Sequence, residues 1–100
     1  MPLFLVKRVV GDVTQTEVDA AVFRAKACAY EFSGLQWLSS YWHKEGGISY
    51  CVYEAESKEQ LEAHAVRAQV ECDEVWPVSL LTPEQYSSSR AWMPRESAAT

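Results

Sequence analysis

The sequence LQWLSSYWHKEGGISYCVYEA, residues 35–55, contains two strand-like runs on either side of a tight turn. Leu35 to His43 is rich in aromatic residues and alternates with period two, which is typical of a β-strand. Glu45-Gly46-Gly47 follows, and adjacent glycines supply the positive φ angles that hairpin turns require. Ile48 to Ala55 forms the second run. We therefore predict an antiparallel β-hairpin at the centre of the chain.

A helical pattern lies on each side of this hairpin. Thr14-Gln15-Thr16-Glu17 has the form of a capping box and is followed by apolar residues at helical spacing. Gly34 is a suitable stop, so we predict a first helix from Gln15 to Ser33. Ser57-Lys58-Glu59-Gln60 repeats the capping form. The second helix is predicted to end near Val70, with one apolar stripe made of Leu61, His64, Ala65 and Ala68.

Two further strands are predicted, the first element of the chain at Leu3 to Val10 and the last at Glu74 to Leu81. Pro77 cannot donate a hydrogen bond to a neighbouring strand, which predicts that the last strand lies at a sheet edge. The order β-α-β-β-α-β is that of a ferredoxin-like α+β fold, with a four-stranded antiparallel sheet and two helices on one face. We assign residues 1–82 to this domain and residues 83–100 to a C-terminal extension, whose most apolar point is Ala91-Trp92-Met93.

Two helices cover only one face of a four-stranded sheet. The other face would carry Trp37, Tyr41 and Tyr53 or their alternates, and such a surface is too apolar to remain in water. The simplest partner is a second copy packed sheet against sheet, which gives a homodimeric α+β barrel. A barrel of this kind encloses a cavity, the natural place for a ligand.

Composition excludes several classes of protein. The 100 residues fit one domain, and 14 acidic against 9 basic residues give a formal charge of -5, which argues against a duplex nucleic-acid partner. No apolar run reaches the ~20 residues of a membrane span, and no signal peptide is recognisable. The three cysteines contain no C-x-x-C pair and are expected to be reduced, in a cytoplasmic protein.

Strong enzyme signatures are also missing from the sequence. It contains no glycine-rich phosphate loop, no H-E-x-x-H, no G-x-S-x-G and no C-x-x-C. Phosphoryl transfer and dinucleotide chemistry therefore have no support, and no catalytic residue is assigned.

Three residues are candidate metal ligands: His64, Cys51 and Glu54. His64, on the apolar stripe of the second helix, is either a hydrogen-bonded core residue or a metal ligand or proton-transfer group. Cys51 is either a small buried residue or a thiolate ligand. Glu54 should lie on the opposite face of its strand from Cys51 and Tyr53, so the segment cannot supply all three to one site. Glu54 could instead form an ion pair with Arg67 or Arg8.

A ligand pocket is the other candidate site. In a regular second strand, Trp37, Ser39, Tyr41 and His43 share one face, either as a dimer interface and core or as an aromatic pocket wall with Ser39 and Tyr41 as polar anchors. Lys7 is either a surface lysine or, if it faces the cavity, an anion anchor or a base. The predicted pocket residues are Lys7, Trp37, Ser39, Tyr41, Tyr53 and His64.

Three segments carry a resemblance to a known family: residues 35–41 (LQWLSSY), 50–55 (YCVYEA) and 62–68 (EAHAVRA), together with Leu5-Val6-Lys7-Arg8 near the start. Over roughly residues 3–80 the chain resembles a family of small bacterial nickel-binding proteins with a dimeric ferredoxin-like fold. The resemblance implies a homodimer that holds nickel or another divalent metal. Lys7 stands where the family has a Glu, and Ser39 where it has a His. Because an ammonium and a hydroxyl are poor metal ligands, weaker nickel binding is expected here.

The first functional hypothesis is therefore a binding protein, for a metal ion or for a small molecule in the cavity. The alternative is a cofactor-independent enzyme of the oxygenase, isomerase or cyclase type, acting on a small aromatic or polyketide-like substrate. That alternative rests on fold analogy alone. A third hypothesis is an interaction protein whose aromatic face binds a different chain.

Overall fold

A computed structural model describes residues 1–86; residues 87–100, including Ala91-Trp92-Met93, lie outside the described part. The elements, in chain order, are β1 (Leu3–Val9), α1 (Gln15–Ala29), β2 (Gln36–His43), β3 (Ile48–Glu54), α2 (Lys58–Ala68) and β4 (Glu74–Val78). This order confirms the predicted ferredoxin-like β-α-β-β-α-β fold. No helix within residues 1–86 is long and apolar enough to cross a membrane.

The sheet has the strand order β2-β3-β1-β4, and every neighbouring pair is antiparallel. β4 is an edge strand, as Pro77 predicted. A residue without a backbone N–H is tolerated there because one side of an edge strand has no partner in the sheet.

The predicted capping box begins α1. The N–H of Glu17 donates to Thr14 Oγ1 at 3.1 Å, and the N–H of Thr14 donates to the Glu17 carboxylate at 2.8 Å. The helix ends at Ala29, short of the predicted Ser33. The amides of Glu31 and Phe32 instead bond to the carbonyls three residues earlier, which tightens the chain out of the helix before Gly34, at φ +77°.

α2 is capped by Ser57, whose side chain accepts the Gln60 N–H at 3.1 Å. Only this half of the predicted box forms, because the Gln60 side chain accepts from the Glu56 N–H instead. The helix ends at Ala68, slightly before the predicted Val70. Gln69 then adopts a left-handed conformation with φ +58°, which a side chain disfavours.

A β-bulge in β2 changes which of its side chains face the helices. Trp37 pairs with Tyr53 and Ser39 pairs with Val52, so Leu38 is an extra residue in the ladder. Trp37 therefore lies on the helix-facing side of the sheet, and Ser39 lies on the other. The prediction that Trp37 shares a face with Ser39, Tyr41 and His43 is wrong, because an alternating pattern does not reveal an inserted residue.

The two helices pack against the same face of the sheet, and no helix of residues 1–86 packs against the other face. The core lies between the sheet and the helices, and its buried side chains include Phe4, Val6, Tyr53, Leu61, His64 and Val75. The side chains that point away from the helices form what we call the open face: Leu3, Leu5, Lys7, Val9, Gln36, Ser39, Tyr41, His43, Ile48, Tyr50, Val52, Glu54, Glu74, Trp76 and Val78. Of the three aromatic residues expected there, only Tyr41 lies on it.

Candidate functional site: a cavity between helix α1 and the sheet

A cavity of about 100 Å³ lies between α1 and the helix-facing side of the sheet, and we call it the inner cavity. Its sheet side contains the small residues Ser40, Ser49 and Cys51. Larger side chains surround them, contributed by Arg8, Trp37, Trp42 and Tyr53. On the helix side it is lined by Val18, Ala21, Val22 and Ala25.

The pairing of strands explains why space remains there. Arg8 on β1 pairs with Ser49 on β3, and Ser49 pairs with Trp42 on β2, so a small residue lies between two long ones. In the next row, Cys51 pairs with Ser40. Short side chains at the middle of the sheet leave a gap beneath α1, because its facing residues are only alanines and valines.

Arg8 is the charged group of the inner cavity, and only 6% of its surface is exposed. Its guanidinium donates to the Glu71 carbonyl oxygen and, at 3.2 Å, to the Tyr53 hydroxyl. Burial raises the pKa of Tyr53 above its ordinary value despite the opposing effect of Arg8, so the phenol is neutral near pH 7. Both acceptors are thus uncharged, and none of the ion pairs within residues 1–86 includes Arg8.

The two tryptophans of the cavity differ in their hydrogen bonding. Trp37 Nε1 donates to Ser40 Oγ at 2.8 Å. Trp42 Nε1 is buried and has no hydrogen-bond partner among the described residues. A buried donor without an acceptor is costly, by about 1–3 kcal/mol. The inner cavity therefore combines apolar walls with a buried cation and an unused N–H donor.

His64 lies in the core and does not line the inner cavity. Its Nε2 atom is 2.8 Å from the Ala25 carbonyl oxygen, so Nε2 carries the proton and donates it. The other nitrogen, Nδ1, is buried without a partner among residues 1–86. Burial lowers the pKa of His64, and Arg8 adds to this effect while the bond to Ala25 opposes it, which leaves the imidazole neutral near pH 7.

The structure divides the predicted ligand pocket among three places. Trp37 and Tyr53 line the inner cavity, and His64 lies in the core. Lys7, Ser39 and Tyr41 lie on the open face, where Lys7 forms an ion pair with Glu74 at 3.8 Å. The six residues therefore do not form one pocket within a single chain.

The candidate metal ligands are separated as well. Cys51 faces the helices and Glu54 faces away from them, which confirms the predicted opposition of these two residues. No group of three or more His, Cys, Asp or Glu side chains in residues 1–86 is placed to hold a metal ion. The ion pair suggested for Glu54 does not form, because Arg67 bonds to Glu31 at 2.9 Å and Arg8 is held by neutral acceptors.

Sequence reasoning missed Arg8, Trp42 and Ser49 as members of a site. A signal for Arg8 was present: it continues the alternation of Phe4 and Val6, which are the buried positions of β1. The sequence suggested for Arg8 a possible ion pair with Glu54 and no place in a pocket. A signal for Trp42 was present as well, because Trp42 alternates with Tyr41 in the regular part of β2 and therefore lies on the opposite face of the sheet from Tyr41.

Comparisons with known proteins identify relatives of this chain. A family model described as "Nickel responsive protein SCO4226-like" matches residues 4–78. Among solved structures, the crystal structure of SCO4226 from Streptomyces coelicolor A3(2) has a TM-score of 0.71 and 21% sequence identity. The match covers 80% of this chain and 99% of that one, and at this identity it shows a shared fold. No curated protein matches the chain.

Proposed function

Since the chain belongs to the SCO4226-like family of nickel-responsive proteins, we propose that it is a homodimeric binding protein for a divalent metal ion, nickel in the first instance. The observation that carries the proposal is the open face, which combines potential metal ligands with an apolar surface that no helix of residues 1–86 covers. Two copies pack through this face, and the metal is held between them.

The apolar side chains of the open face support the dimer. Leu5, Val52 and Trp76 lie side by side on three neighbouring strands. Trp76 is 37% exposed and Tyr41, on the edge strand β2, is 67% exposed. Contiguous apolar surface of this kind marks an interaction site on a soluble protein, and a two-fold axis lets one surface cover itself.

Two potential metal ligands lie on the same face. His43 pairs with Ile48 at one end of β3, and Glu54 pairs with Gln36 at the other. A two-fold axis doubles each residue, so facing sheets would present two imidazoles and two carboxylates. Both groups are suitable ligands for nickel, whereas Lys7 and Ser39 of the same face are not. Of the three metal candidates identified in the sequence, Glu54 is the one that this arrangement uses.

Light scattering across a dilution series tests the dimer. We expect the native chain to be dimeric and Val52→Asp to be monomeric with an unchanged circular dichroism spectrum, because a carboxylate at the centre of the open face opposes its burial. Val66→Asp is the matched control, since Val66 is 80% exposed on α2, away from the sheet. A native chain that remains monomeric at high micromolar concentration would refute the dimer.

Calorimetric titration with nickel tests whether the protein binds the metal and which residues are its ligands. Chelator-treated protein should bind nickel, and His43→Ala, Glu54→Gln and the monomeric Val52→Asp should each weaken the binding by about tenfold or more, as loss of a ligand does. Glu56→Gln, an exposed position outside the strand, is the control. Nickel binding of native strength in both His43→Ala and Glu54→Gln would show that the ligands are elsewhere.

A further inference from the structure

The inner cavity has properties that a metal site on the open face does not explain. It holds a guanidinium that is almost fully buried, and no carboxylate among residues 1–86 neutralises it. Buried charges in proteins are ordinarily paired, because removing an ion from water is expensive. Arg8 has neutral acceptors in Tyr53 and in the Glu71 carbonyl, which position the guanidinium but do not compensate its charge within the described part of the chain.

A second, independent observation points to a missing acceptor. Trp42 also lines the inner cavity, and its buried Nε1–H has no partner in the described part of the chain. Arg8 and Trp42 stand on either side of Ser49 in one cross-strand row, two strands apart. Neighbouring strands are about 4.8 Å apart, so the two long side chains can reach a common point above Ser49.

We propose that the inner cavity binds a small carboxylate with a short aliphatic chain, its carboxylate accepting hydrogen bonds from the Arg8 guanidinium and the Trp42 indole. A carboxylate matches both requirements, because it carries the opposite charge and has two acceptor oxygens. The aliphatic chain lies against Val18, Ala21 and Val22 of α1.

The size of the cavity limits the ligand. An apolar cavity of roughly 150 Å³ accommodates benzene. The inner cavity measures about 100 Å³, which favours a carboxylate of about four carbons over an aromatic acid. Phosphate and sulfate suit the walls less well, because the surfaces supplied by α1 are apolar and offer no further donors.

The indole N–H resonance of Trp42 provides a direct readout, with butyrate as the probe and butyramide as a neutral molecule of the same shape. The full-length protein is treated with a chelator first, so that a bound metal cannot take the carboxylate. We expect butyrate to shift the Trp42 resonance saturably, and butyramide to bind about tenfold or more weakly because it lacks the charge. Trp42→Phe identifies the resonance.

Substitutions locate the site. Arg8→Gln should lose the preference for butyrate over butyramide. Since Arg8 is also a buried structural residue, Ala21→Leu provides a test that leaves it intact: the larger side chain fills the cavity and should abolish the shift. Ala27→Leu, at an exposed position of the same helix, is the matched control and should bind butyrate as the native chain does.

Three results would overturn the proposal. The first is the absence of a saturable Trp42 shift with butyrate. The second is equal binding of butyrate and butyramide, which would mean that Arg8 does not recognise the ligand. The third is undiminished binding in folded Ala21→Leu, which would place the ligand outside the inner cavity.

Discussion

The Nε2 atom of His64 donates a hydrogen bond to the backbone carbonyl oxygen of Ala25 at 2.8 Å, which ties a side chain of α2 to the backbone of α1. The ring is fully buried, and Phe32 and Tyr53 contact it edge-on at centroid distances of 5.8 and 5.7 Å. His64 thus joins both helices to the sheet through one side chain.

His64→Ala is expected to lower the free energy of unfolding and to leave the affinity for nickel nearly unchanged. Removing the ring leaves a core cavity and an unpaired carbonyl, and the expected loss in the free energy of unfolding is roughly 2–5 kcal/mol. Urea denaturation of the chelator-treated protein measures it, with Val66→Ala, at an exposed position of the same helix, as the control. Retained stability combined with lost nickel affinity would show instead that His64 is a metal ligand.

Stability should fall as the pH is lowered below the ordinary histidine pKa of about 6.5. Burial lowers the pKa of His64 in the folded state, so between the two pKa values the unfolded chain binds a proton that the folded chain does not. The stability that the neutral ring contributes is complete above about pH 6.5 and is lost toward acid. Urea denaturation of the native chain and of His64→Leu, at about pH 7.5 and pH 5.5, measures this; an unchanged pH dependence in the variant would refute it.

Gln69→Gly should stabilise the protein. Gln69 ends α2 with φ +58°, and a side chain in this conformation costs about 1 kcal/mol relative to glycine. The greater freedom of glycine in the unfolded chain offsets part of the gain, so we expect a net increase of roughly 0.5 kcal/mol in the free energy of unfolding. Gln69→Ala keeps the strain and should give no increase. Equal effects of the two substitutions would contradict the assigned cause.

Ser40→Ala tests the bulge at Leu38. The substitution removes the acceptor of the Trp37 indole, 2.8 Å away, and should lower the free energy of unfolding by about 1–3 kcal/mol, because the donor is left without its partner. Ser39→Ala, one residue earlier but on the open face, should change stability much less at the same protein concentration. If the two substitutions had equal effects, Trp37 would not occupy the helix-facing side.

The order of the helices and strands, and most of the residues at which they begin and end, were predictable because they depend on local chemistry. A capping box, a glycine pair in a hairpin and a proline in a strand each act over a few residues, and each is recognisable without the fold. The end of α1 was predicted too late because Tyr30 to Phe32 are compatible with a helix, and tighter three-residue hydrogen bonds end it there.

The candidate site was less predictable, because it depends on register. One extra residue, Leu38, reverses the side of the sheet on which Trp37 lies relative to Ser39. The position of Arg8 beside Trp42 depends on two strand pairings that join distant parts of the chain. Alternation within one strand predicted that Cys51 and Glu54 are on opposite faces. It does not predict which residue of a neighbouring strand pairs with a given residue.

The strand order has a consequence for how the sheet behaves in a crowded solution. Within residues 1–86, its two outer strands, β2 and β4, each have one edge without a paired strand. A strand of another molecule could add there, which is a common beginning of aggregation. Pro77 removes a donor from one edge, and the bulge at Leu38 interrupts the regular spacing of the other. The irregularity that positions Trp37 and Ser40 therefore also protects this small protein against uncontrolled growth of its sheet.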